Sequence, residues 1–199
     1  MRRWSRSDEA RPARSRRYRA GGVAAALTAA TFAVAPGTAF AGELGISQEV
    51  QQQNQWCWAA SGLTIAKFLG KGNVSQNDFC NLARGYPQGS RCPNQAGYLQ
   101  WAQRAFQQLG ISPGQVTGPL SFQAINTEID GRRPIETGIY WTAGGGHAQV
   151  IYGYEPSGQT VAYGDPWPSS PRYGEMSYRS YVNNGQFRWG EALSQVGAR

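Results

Sequence analysis

Cys57, His147 and Asp165 are the residues whose types could together perform nucleophilic chemistry in this chain. A thiol attacks as its thiolate, and a helix N-terminus or a neighbouring imidazolium favours that form. Cys57 opens the most apolar stretch of the sequence, so its backbone N–H is expected at a helix start. There it would lack an intrahelical acceptor and face a developing oxyanion. The approach to it is rich in amides (Gln51, Gln52, Gln53, Gln55), which offer a second donor, although such a run by itself reads as a solvated polar loop. The base is fixed by elimination, because the chain contains one histidine. His147 follows Gly144-Gly145-Gly146 and starts an apolar strand, so glycines leave room around a ring that the strand orients. Asp165, in Gly164-Asp165-Pro166-Trp167, could orient that ring through its other nitrogen. A lone strand-edge histidine is usually structural, and an aspartate before proline is a common turn residue. Only the combination points to catalysis.

The elements that must position these groups can be read from periodicity and punctuation. Trp58, Ala59, Leu63, Ile65, Ala66, Phe68 and Leu69 predict a helix from Cys57 that Gly70 ends. Ser75 predicts an N-cap for a helix through Phe79 and Leu82 that stops at Gly85. Further helices are expected over 94–109, with Gly110 as the stop, and over 121–129, closed by Gly131. After Pro134 the pattern changes to strands over 135–142, 148–154 and 160–163. Tyr173, Tyr178, Tyr181, Phe187 and Trp189 predict further strand and a packed tail. Helices first and an antiparallel sheet second define an α+β fold with a cleft between its halves.

Residues 1–41 differ from the rest. Eight arginines precede an apolar, Ala-rich run from Gly21 to about Ala35 and an Ala39-Phe40-Ala41 site, the pattern of a secretory signal cleaved before Gly42. The apolar run is shorter than the roughly 18 residues a membrane span needs, so no membrane association is expected after cleavage. The formal charge of +7 arises mostly there: eight of 19 basic and two of 12 acidic residues lie in this segment. The remainder is nearly neutral, and nucleic acid is not expected as a partner. Residues 42–199 fit one domain, expected to be a monomer. Three cysteines in an exported protein leave one unpaired. Cys80 and Cys92 flank a Gly, Pro and Ser-containing loop and are the expected disulfide, which could contribute about 3 kcal/mol in the chain-entropy model. No cofactor or metal site is expected, since one histidine and scattered cysteines do not make a ligand set.

Taken together, Gln51, Trp56-Cys57-Trp58-Ala59-Ala60-Ser61, Gly146-His147-Ala148 and Asp165-Pro166-Trp167 resemble the papain-like cysteine protease clan. Within it the chain is similar to the short effector proteases of plant-pathogenic bacteria and to bacteriocin-processing peptidase domains. These have a Gln six positions before the Cys, a Gly-His strand and an Asp-Pro about eighteen residues after the His. The resemblance implies a papain-like α+β fold, with the nucleophile helix in an N-terminal helical half packed on a C-terminal antiparallel sheet. It also implies Cys57 as nucleophile, His147 as base and later acid, Asp165 as orienter and Gln51 as oxyanion donor. The third member is Asp where plant and lysosomal relatives have Asn, and their Cys-Gly-Ser/Ala-Cys block is absent. No long pro-segment stands between Gly42 and Gln51.

The expected activity is therefore that of a secreted cysteine protease that hydrolyses a protein or peptide substrate through a thioester. Trp56 and Trp167 are expected to line the cleft, Trp58 to face the core, and Trp141 is open between the two. The alternatives are a cell-wall amidase or endopeptidase of the Cys-His type, and a non-catalytic binding module with Cys57 as a buried thiol.

Overall fold

The computed structural model of the chain describes residues 41–198. The proposed signal segment lies outside the described residues except for Ala41. No helix among the described residues is long and apolar enough to cross a membrane.

The helical half is local in origin. Helix α1 (Cys57–Phe68) is apolar around its whole circumference and is accordingly buried from Trp58 to Ala66. Gly62 lets the Phe79 ring approach so closely that a Cβ there would meet it at 2.7 Å. Helix α2 (Gln76–Arg84) begins at Ser75, whose side chain accepts from the Asp78 N–H, and ends at Gly85 in the left-handed conformation. A disulfide joins Cys80 in α2 to Cys92. Helix α3 (Leu99–Gln108) starts five residues later than the expected 94. The reason is tertiary: Gly97 lies flat on the Trp58 indole, leaving no room for a Cβ. The indole N–H donates to the Gln95 carbonyl, and residues 93–98 stay out of the helix, with Tyr98 extended. Helix α4 (Phe122–Asp130) is capped by Ser121 as expected.

The sheet has seven strands and every pairing is antiparallel. They are β1 (Gly42–Glu43), β2 (Pro113–Thr117), β3 (Ile135–Trp141), β4 (Gly146–Glu155), β5 (Thr160–Gly164), β6 (Tyr173–Ser177) and β7 (Phe187–Val196). The order is β2-β7-β3-β4-β5-β6, and β1 pairs with the end of β4. Strands β1 and β2 correct the expected division into helices first and sheet second. Both are short, and what makes them strands is pairing with β4 and β7 from distant parts of the chain. The C-terminal aromatics form β6, β7 and the five-residue helix α5 (Tyr178–Val182), with Tyr181 fully buried.

Candidate active site

Cys57 sits on the first turn of α1, where the N-cap residue Trp56 contributes no side-chain hydrogen bond. The N-termini of α2 and α4 are closed by serine hydroxyls, whereas that of α1 is not. Its first N–H groups have no intrahelical acceptor, and Cys57 is the free and partly exposed cysteine among the described residues. One turn further on, Ser61 Oγ donates to the carbonyl of Ala148 at 3.3 Å. Residues i and i+4 share a helix face, and Ala148 follows His147. This bond therefore fixes α1 and β4 in the register that brings Cys57 to the imidazole.

On the sheet side, β3 turns into β4 through Gly144 and Gly145, both at positive φ, where a side chain would be strained. His147 Nε2 lies 2.8 Å from Asp165 Oδ1, which leaves Nδ1 as the nitrogen available to Cys57. Asp165 also accepts from the Gln149 side chain and from the Trp167 backbone N–H, each at 2.8 Å. The chain of bonds continues inward, since the Tyr181 hydroxyl donates to Gln149 Oε1 and Thr137 Oγ1 lies 2.8 Å from that hydroxyl.

These contacts set the protonation state. Burial opposes charge on His147, but the Asp165 hydrogen bond and the nearby Cys57 sulfur outweigh it and raise the imidazole to about 9. Cys57 acts on the ring both as a hydrogen-bond partner and through its charge. Burial pushes the Asp165 carboxyl up, and its bonds to His147, Trp167 and Gln149 more than reverse this, holding it below the usual value. Trp141 stacks on the imidazole at 6.0 Å between ring centroids, and Trp167 meets it edge-on at 6.5 Å. Between them His147 is only 9% exposed.

Cys57, His147, Asp165 and Trp167 all line one cleft of about 650 Å³. Two further expected members are not among its lining residues. Gln51 is buried, and one N–H of its amide donates to the Gln53 carbonyl at 2.8 Å. An amide carries two donor hydrogens, so the second stays uncommitted. Trp56, expected on the cleft wall, is instead 3% exposed with its indole N–H donating to the Pro93 carbonyl. Trp58 and Trp141 stand at the wall in its place. Ala96–Tyr98, Leu99 at the start of α3, Asn54, Gln55, Tyr140 and Glu191 are also among the lining residues. None of these carried a sequence signal apart from Gln55 in the amide run.

Beneath the site, Glu136 on β3 is fully buried and neither carboxyl oxygen has a partner. Burial pushes it well above the usual carboxylate range, and Cys57 close by adds to this. No group of three or more His, Cys, Asp or Glu that could hold a metal occurs among the described residues.

A helix-borne cysteine facing a strand-borne histidine across a cleft in an α+β domain defines the class as a papain-like cysteine peptidase. The model of the Peptidase_C70 family, described as papain-like cysteine protease AvrRpt2, matches residues 41–186, and the chain belongs to this family. Among solved structures it is similar to a putative C39-like peptidase from Bacillus anthracis, with 12% identity and a TM-score of 0.51, covering 78% of this chain and 96% of that one. A second similar structure is a double glycine motif protease from an AMS/PCAT transporter in complex with the leader peptide. Its identity is 15% and its TM-score 0.49, and the match covers 77% of this chain and 94% of that one. A comparison with curated proteins gives no match.

Proposed function

We propose that the protein is a secreted, monomeric cysteine protease in which Cys57, His147 and Asp165 are the catalytic residues and Gln51 helps to hold the oxyanion. Residues 1–41 act as the export signal, and 42–199 are the mature peptidase domain. With the proton on His147, the Cys57 sulfur attacks the peptide carbonyl. The oxyanion that forms is held by the Cys57 N–H and by the uncommitted N–H of Gln51. His147 then passes its proton to the leaving amine as the C–N bond breaks, leaving a thioester. Water, activated by the now neutral imidazole, attacks the thioester carbonyl and returns the thiol. Asp165 keeps the ring oriented and stabilises its charged form.

The observation that carries this reading is the commitment of Nε2 to Asp165 at 2.8 Å, because it selects the nitrogen that serves Cys57. The Trp141 and Trp167 rings support it by keeping water from that bond. The test is labelling of the purified protein with an epoxide-type cysteine-protease inhibitor, followed by intact mass and peptide mapping. One adduct on Cys57, lost in His147→Ala, is expected. A folded protein that takes no adduct would exclude the reading. N-terminal sequencing of exported protein is expected to begin at Gly42.

A further inference from the structure

Glu191 is the carboxylate in the cleft for which the chemistry above finds no use. Two acidic residues line the cleft, Asp165 and Glu191. Asp165 is committed to three donors, from His147, Gln149 and Trp167. Glu191 takes part in no ion pair among the described residues, and no lysine or arginine lines the cleft. It stands on β7 directly across from Gly138 of β3, which in turn pairs with Ala148 beside His147. Cross-strand partners share a sheet face, so Glu191 and Gly138 lie on one face within the cleft that Cys57 also lines.

The surroundings are shaped for a long side chain with a charged end. Gly138 has no Cβ, and one built there would meet Glu191 Cβ at 3.5 Å and Oε2 at 3.6 Å, so the Glu191 side chain packs beside the glycine with its carboxylate over β3. Tyr140 lies flat against Gly190, where a Cβ would meet its ring at 2.2 Å, and offers an aromatic surface beside Glu191. Burial raises the Tyr140 phenol, and the Glu191 carboxylate adds to this through its charge and a hydrogen bond from the phenol, so Tyr140 positions the carboxylate without neutralising it. Arg188, also on β7, packs its guanidinium over the Tyr140 ring at 4.9 Å and forms no ion pair with Glu191. Two strand spacings, roughly 10 Å, separate β7 from β4, which exceeds one residue rise of about 3.4 Å in an extended peptide. A carboxylate at this distance addresses a residue near the cleaved bond, not at it.

We propose that Glu191 forms a subsite for a lysine or arginine side chain of the substrate, whose aliphatic stem lies over Gly138 and along Tyr140 while its cation meets the carboxylate. The stem keeps apolar contact and the head group stays partly solvated, as long basic side chains favour. This rests on the peptidase reading and adds a substrate class to it.

The test is cleavage of a peptide library, prepared with a Glu-specific protease so that internal basic residues survive, with sites read by mass spectrometry. The wild type is expected to enrich Lys and Arg about threefold or more at one fixed position near the cleaved bond. For one such peptide, the ratio of kcat/KM between arginine and its uncharged analogue citrulline at that position is expected to be about 10. It should fall to about 1 in Glu191→Gln and below 1 in Glu191→Lys. Cleavage without a fixed basic position, or a ratio unchanged in Glu191→Gln, overturns the Glu191 proposal and leaves the peptidase reading standing. Cleavage no greater than that of Cys57→Ala overturns both.

Discussion

On the helical side of the cleft, position is held by apolar packing. Trp58, Ala59, Leu63, Ile65 and Ala66 bury α1 against its neighbours, the Cys80–Cys92 bridge ties α2 to the following loop, and a single hydroxyl, Ser61, reaches across to the sheet. On the sheet side, position is held by a chain of buried hydrogen bonds running from His147 through Asp165, Gln149 and Tyr181 to Thr137. Apolar packing tolerates small shifts, because it is non-directional. A buried polar chain does not, because each member left without its partner costs the full desolvation of that group. The two sides should therefore fail differently: damage to the helical side lowers stability, whereas damage to the sheet side changes reactivity and its pH dependence.

The largest expected effects test the reacting pair. Cys57→Ala and His147→Ala should each reduce peptide hydrolysis by roughly four orders of magnitude or more, to assay background, with near-native circular dichroism. Asp165→Asn comes next, at about 10²–10⁴-fold in kcat. It should also move the alkaline limb of the pH–rate profile from about 9 toward the ordinary imidazole value of 6.5. The sign follows from the raised histidine: its contribution is complete below 6.5 and is lost as pH climbs through about 9. An alkaline limb that stays near 9 in this variant would show that Asp165 does not set the His147 charge.

The helical side is tested by the double variant Cys80→Ser, Cys92→Ser. Loss of about 3 kcal/mol in urea unfolding is expected, with the specific activity of the folded fraction retained. A change in pH profile here would break the division between the sides. Ser61→Ala sharpens it, because Ser61 is the α1 residue whose side chain hydrogen-bonds to the sheet. About 1 kcal/mol of stability should go, together with a several-fold fall in the rate of Cys57 alkylation. The smallest expected change is a gain. Glu136→Met removes two unpartnered buried oxygens at similar volume and should stabilise the protein at neutral pH by about 1–3 kcal/mol in thermal melts.

Much of the helical half was legible because its signals are local. Ser75, Gly85 and Ser121 mark helix ends through bonds to residues three or four positions away, and Cys57 opens α1 as its apolar run predicts. Cys57, His147 and Asp165 were also legible as candidates, since one histidine and one unpaired cysteine left few choices, and the structure brings all three to one cleft. What the sequence could not decide is whatever depends on contacts between distant segments. The late start of α3 depends on Gly97 meeting Trp58, and the exchange of Trp56 for Trp58 and Trp141 at the wall depends on which carbonyl each indole finds. The strand character of β2 comes from β7, and Glu191 enters the cleft only because β7 pairs with β3. Residue types and caps act over a turn of helix, so the sequence by itself determined the helix that Cys57 opens and the candidate reacting groups. Strand order and the burial of each tryptophan are set by pairing across the whole domain, so only the tertiary structure decided what walls the cleft and which second carboxylate enters it.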